Sequence, residues 1–242
     1  MSDTPGLVPG WYGKLPALGD FATRRLPNDF VNQWDTWLQQ SIAASRSHLG
    51  EDWLDIYMTS PIWRFALFPG VCGARAWAGV IMPSVDKVGR YFPLTLTVAL
   101  EARAETSMAI FTADAWYAAL EDVALSVLRV DGSLDDLEGS LLRHPFPLST
   151  TNSDPGESEL NKLMVWWRSP QADALTLSMQ HAGAVEKFMG MTMNGMFSTS
   201  GYGKSVWWSW RQDTNDGVLH CCGGLPPPDH YATMLLGSLE SS

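Results

Sequence analysis

The most regular hydrophobic pattern in the chain lies between residues 59 and 100. Residues 62–68 (IWRFALF) and 74–82 (ARAWAGVIM) are apolar at nearly every position, which suits strands covered on both faces. Residues 92–100 (FPLTLTVAL) alternate instead. Leu94, Leu96, Val98 and Leu100 fall on one face, with Thr95, Thr97 and Ala99 on the other. Pro69, Gly70 and Gly73 supply a turn between the first two strands, and Pro83 ends the second. Residues 84–91 (SVDKVGRY) then gather two cations, an anion and an aromatic between buried elements. Loops held on a rigid sheet are where binding residues concentrate, so this loop is the first candidate for a working surface.

Elsewhere the period is helical. Residues 7–27 are interrupted by Pro or Gly every few positions and predict a short strand and turns. A helix follows with Asn28 or Asp29 as its cap; Phe30, Trp34, Trp37, Leu38 and Ile42 form its apolar face, and Gly50 its stop. Residues 107–130 predict one long helix, with Trp116, Leu120, Val123 and Val127 on one face and Asp114, Glu121, Asp122 and Arg129 elsewhere. Ser133 opens another, with Asp136 as a capping-box variant and Leu134, Leu137, Leu141 and Leu142 as its buried stripe.

Residues 144–159 (HPFPLSTTNSDPGESE) predict a long, mobile loop in which His144 is a turn residue. Residues 160–167 are ambiguous and 175–180 alternate weakly, whereas 205–210 and 218–221 predict strands separated by a turn at 213–217. A last helix from Asp229 places Tyr231, Met234, Leu235 and Leu239 on one side. Strands mixed with helices in this way indicate an α/β (mixed α+β) fold, with a largely antiparallel or mixed sheet sandwiched between helices. The expected organisation is one domain over 1–242, with a core at about 7–143, the loop 144–159, and C-terminal strands and helix over 160–242.

Composition adds limits. Hydrophobic residues make up 45% of the 242 and charged residues 17%, which describes a folded chain. Net charge is −10, and residues 1–110 hold nine Lys+Arg against ten Asp+Glu, leaving seven against sixteen for the remainder. So acidic a chain is a poor partner for nucleic acid or anionic lipid but suits a basic protein surface. Twelve tryptophans are enough to supply both a core and a partner surface. Cys72, Cys221 and Cys222 have no metal or redox spacing, and the adjacent pair lies too close for an unstrained disulfide. This is reduced usage, and with no signal-like N-terminus and no apolar run near the roughly 20 residues of a membrane span, the expected location is cytoplasmic.

Most chemical motifs fail on inspection. Residues 198–205 (STSGYGKS) miss a phosphate-binding loop by one position, Ser198 standing where Gly is needed, and a strand-like run rather than a helix follows. Ser84 and Lys87 match S-x-x-K, but in a loop and without the accompanying motifs. His48, His144, His181, His220 and His230 are scattered, so no metal, cofactor or catalytic residue is assigned. Two polar clusters remain as candidates: Lys14, Asp20, Arg24 and Arg25, and Asp86, Lys87 and Arg90 with Tyr91.

The runs GWYGKLPALGDFATRRLP (10–27), TSPIWRFALFPGVCG (59–73) and MPSVDKVGRYFPLTL (82–96), with the later SVWW (205–208) and GGLP (223–226), resemble the TagF family, also called ImpM, of bacterial type VI secretion accessory proteins. The resemblance implies a longin-like α-β-α sandwich and a cytoplasmic, non-enzymatic repressor of secretion. It also implies a partner, a scaffold protein with a forkhead-associated domain, to which the residues of the two clusters are candidate contacts. The alternatives are a structural accessory of the secretion machine and, more remotely, a nucleotide binder using residues 198–205.

Overall fold

The apolar runs of the sequence become the centre of one antiparallel sheet. The computed structural model describes residues 7–101, 104–128, 133–147, 200–211 and 216–237. Its strands are β1 (Gly10–Gly13), β2 (Ala22–Arg24), β3 (Trp63–Leu67), β4 (Ala76–Met82), β5 (Leu94–Leu100), β6 (Lys204–Arg211) and β7 (Asp216–Gly223). They lie in the order β2-β1-β5-β4-β3-β6-β7, and every neighbouring pair is antiparallel. The described helices are α1 (Asn28–Leu49), α2 (Trp53–Thr59), α3 (Ala104–Thr112), α4 (Asp114–Ser126), α5 (Leu134–Arg143) and α6 (Tyr231–Leu236).

Alternation along the strands feeds two cores. Ala76, Ala78, Val80 and Met82 of β4 pack with Ile110, Trp116, Leu120 and Leu137 from the layer of α3, α4 and α5. Trp77 and Ile81 pack on the other side with Phe30, Trp34, Trp53 and Met234 from α1, α2 and α6. The sheet is therefore sandwiched between helices, and both faces of β3 and β4 are covered as their sequence demands. The alternating β5 is also covered on its threonine face. Thr95 and Thr97 are fully buried, which their hydroxyls tolerate because Trp34 Nε1 donates to Thr95 Oγ1 at 2.8 Å and Thr97 Oγ1 donates to the Ala78 carbonyl at 2.9 Å.

Several local expectations are corrected. Neither Asn28 nor Asp29 caps α1; extended Pro27 occupies the cap position, and its carbonyl accepts from Val31 N at 3.1 Å. Gly50 does end α1, but a 3-10 turn (Gly50–Asp52) and the unanticipated α2 follow it directly. The single helix expected over 107–130 is two, broken at Ala113, whose carbonyl accepts from both Trp116 N and Tyr117 N as α4 starts anew.

Ser133 caps α5 by accepting from Asp136 N at 3.1 Å, but Leu142 is 60% exposed because it points about 100° from the buried Leu141. The strand β7 starts at Asp216, inside the predicted turn, and α6 starts at Tyr231 after a 3-10 turn at Pro228–His230. The expectations for residues 148–199 and 213–215, and for Arg129 and Leu239, lie outside the described residues. No helix among the described residues is long and apolar enough to cross a membrane.

Candidate functional site

The connection from β4 to β5 is a tight hairpin. Val85 and Tyr91 form an antiparallel bridge, Gly89 N donates to the Asp86 carbonyl at 3.0 Å, and Asp86 N donates to the Arg90 carbonyl at 3.0 Å. Gly89 takes φ 82°, a left-handed conformation that lets the chain reverse here. The Asp86 side chain faces inward and organises the turn. Its Oδ1 accepts from Val88 N at 3.0 Å and Arg90 N at 2.8 Å, and its Oδ2 accepts from Arg90 Nε at 2.7 Å.

The fourth bond to this carboxylate comes from the other polar cluster. Lys14 Nζ donates to Asp86 Oδ2 at 2.9 Å, with the two side chains 5% and 0% exposed. Lys14 reaches it because β1 lies against β5, and at Gly13 the strands approach so closely that a Cβ would stand 2.1 Å from the Pro93 carbonyl oxygen. Burial acts to raise the Asp86 carboxyl, but the Lys14 ammonium, the Arg90 amide and guanidinium and the Val88 amide together hold it well below the usual carboxylate range. Lys14 Nζ also sits 4.6 Å from the centre of the Phe21 ring.

Further ties fasten the hairpin. The Ser84 hydroxyl donates to the Lys14 carbonyl at 2.7 Å, and the Tyr57 hydroxyl of α2 both donates to the Ser84 carbonyl (3.1 Å) and accepts from Ser84 N (3.0 Å). Lys87 N donates to the Leu18 carbonyl at 3.0 Å, joining the hairpin to the loop after β1. Arg90 spans the same gap, donating through Nη2 to the Gly19 carbonyl and lying 3.9 Å from Asp20 Oδ1. What remains open to solvent is a tip made of Val88 (68% exposed), Lys87, Arg90, Asp20 and Phe21.

Residues 10–143, just over half of the chain, match the TagF N-terminal domain, described as type VI secretion system-associated. The chain belongs to the TagF family. It is also similar to a solved structure, PA0076 from Pseudomonas aeruginosa PAO1, at 34% identity and a TM-score of 0.72 over 97% of this chain and 96% of that one. No curated protein matches. This TagF-family chain is thus type VI secretion-associated, and the matched segment contains both polar clusters.

The fold redistributes those clusters. Lys14 and Asp20 join Asp86 and Arg90, whereas Arg24 and Arg25 turn away to Glu138 of α5, at 3.3 and 2.5 Å. Arg25 adopts φ 59°, an uncommon conformation for a non-glycine residue, and its Nε donates to the Pro9 carbonyl at 2.9 Å. Trp11 Nε1 also donates to Glu138, at 2.6 Å, so this second constellation ties the edge strands to α5.

Burial acts to raise the Glu138 carboxyl, but the Arg25 guanidinium, the Trp11 indole and Arg24 hold it below its ordinary value. Tyr91 points inward, its ring 6.2 Å from Trp53 and 6.0 Å from Tyr57. Sequence reading missed Tyr57 and Glu138, which carry no local motif, and Phe21 and Val88, whose exposure no hydrophobic pattern announces. Ser84 stands out in the sequence only for an S-x-x-K match, not for the bonds it makes to Lys14 and Tyr57. Lys204 opens strand β6, so residues 198–205 do not lead into a helix N-terminus of the kind that binds phosphate.

Proposed function

We propose that this TagF-family protein represses type VI secretion after translation, without chemistry of its own, by binding a cytoplasmic scaffold that carries a forkhead-associated domain. The observation that supports this reading most is the hairpin at 84–91, whose base is fastened by buried groups while its tip offers Val88, Lys87 and Arg90 to solvent. A tip already rigid loses little conformational freedom on docking, which favours affinity. Repression then requires only that the bound protein hide a surface needed for assembly.

The test is calorimetric titration of the purified scaffold into the wild type and into a Val88→Asp/Lys87→Ala variant, which leaves the bonds of Arg90 to Asp86 and Gly19 in place. Both positions are exposed, whereas Tyr91 packs internally and is unsuited to a surface test. The variant is expected to bind at least about tenfold more weakly at an unchanged thermal midpoint. Wild-type affinity in the folded variant overturns the role of the hairpin. Stoichiometric retention of the chain in the assembled machine overturns repression in favour of a structural part.

A further inference from the structure

The end of the sheet that bears the hairpin bears a second surface. Trp63 stands opposite Ile81, and Arg64 opposite Trp208, so the start of β3 and the ends of β4 and β6 lie together. There α2, α4, α6 and the end of β6 enclose an open groove of about 560 Å³, within the range of clefts that accept small ligands. Ile56, Ile62, Leu125 and Trp210 form its apolar floor, and Leu125 and Trp210 are 50% and 59% exposed. Singly exposed apolar residues need no explanation, but these line one groove.

Among the described residues that line it, the charged ones are acidic. Glu121 and Asp122 are on its wall, and none of its described lining residues is basic. Arg64, behind Glu121, is committed: its Nε lies 2.6 Å from Glu121 Oε1, its Nη2 donates to Glu121 Oε2 at 2.9 Å, and its Nη1 pairs with Asp114, leaving the side chain 12% exposed. The Asp122 carboxylate is exposed and has no hydrogen bond or ion pair among the described residues. β6 is paired with β7 along its whole length and with β3 as far as Trp208, so only residues 209–211 leave an open edge, a short one for an added strand. The groove therefore favours a partner that docks by side chains.

We propose that this groove takes a basic amphipathic helix of a partner protein, apolar side chains entering between Leu125 and Trp210 and a Lys or Arg pairing with Asp122. The inference rests on the chain being a protein that works by binding proteins, but not on the hairpin as the contact.

The test titrates the full chain by calorimetry with a synthetic Lys/Leu amphipathic helical peptide, and with a Glu/Leu peptide of the same apolar pattern. The Lys/Leu peptide is expected to bind and the Glu/Leu peptide not. Asp122→Lys/Leu125→Ser should weaken binding about tenfold or more, while Asp29→Lys, the same charge change on the first turn of α1, should leave it within about twofold. Asp122→Lys alone serves as a second variant that keeps the apolar floor. Equal binding of both peptides, equal weakening by Asp29→Lys, or no weakening by either groove variant overturns the proposal. Because the probe is synthetic, failure of the forkhead-associated scaffold to bind overturns the repressor reading and leaves this result standing.

Discussion

Lys14 and Asp86 are 72 positions apart in the chain, yet they form a buried ion pair at 2.9 Å that joins the loop after β1 to the hairpin between β4 and β5. A buried pair contributes little over an apolar substitute, but removing one partner leaves a buried charge uncompensated. This pair acts as a fastener, holding two loops in one arrangement beneath an exposed tip.

Acid should loosen the hairpin. The folded Asp86 carboxyl lies below its ordinary value of about 4, so the unfolded chain binds the proton more readily. Its contribution to stability is then complete above about pH 4 and is lost as pH falls toward the depressed folded value. Asp86→Asn keeps the Oδ1 acceptor for the Val88 and Arg90 amides and removes the charge. Acid-unfolding curves should show a shallower pH dependence below pH about 4 for Asp86→Asn than for the wild type; identical curves would falsify this role.

Glu138→Ala should destabilise the protein by about 1–3 kcal/mol, because it leaves the indole N–H of Trp11 without its acceptor. Trp11 is 2% exposed, so water does not readily replace the lost bond. Urea unfolding measures the change, and Glu138→Gln, which retains an acceptor for the indole, should recover part of it.

Thr95→Val should cost about 1–3 kcal/mol despite its matched shape, since it leaves the Trp34 indole N–H unpaired in the core. Thermal unfolding of the variant checks this. A neutral result would mean that the threonine face of β5 is held by packing alone.

The cysteines should differ in reactivity. Burial pushes the Cys72 thiol up to about 12, so at pH 8 only about one molecule in ten thousand carries the thiolate. Cys221 is exposed. Alkylation followed by peptide mass spectrometry should label Cys221 in the native protein and Cys72 only after unfolding.

Some of the fold was legible because its causes are local. Ser133 and Asp136 announced the start of α5 through a bond three residues long. The aromatic face of α1 followed from helical spacing, and it is that face which buries Trp34 and Trp37. The break at Ala113 was not legible: residues 107–130 keep an apolar period throughout, and only the tertiary packing shows where the chain turns from α3 into α4. The two polar clusters were visible as residues but wrongly grouped, for sequence adjacency put Arg24 and Arg25 with Lys14.

By itself the sequence determined that strands over 62–68, 74–82 and 92–100 exist, that the first two are apolar on both faces and the third on one, and that a charged turn at 84–91 separates two of them. These follow from side-chain periods that each segment carries alone. Only the tertiary structure decided that β1 lies beside β5, which delivers Lys14 to Asp86; that Arg24 and Arg25 meet Glu138; and that β6 joins β3, which brings Trp210 to a groove beside α4. The reason is physical: which strands become neighbours is set by the packing of whole faces against helices, and an ion pair across 72 residues exists only once that order is chosen.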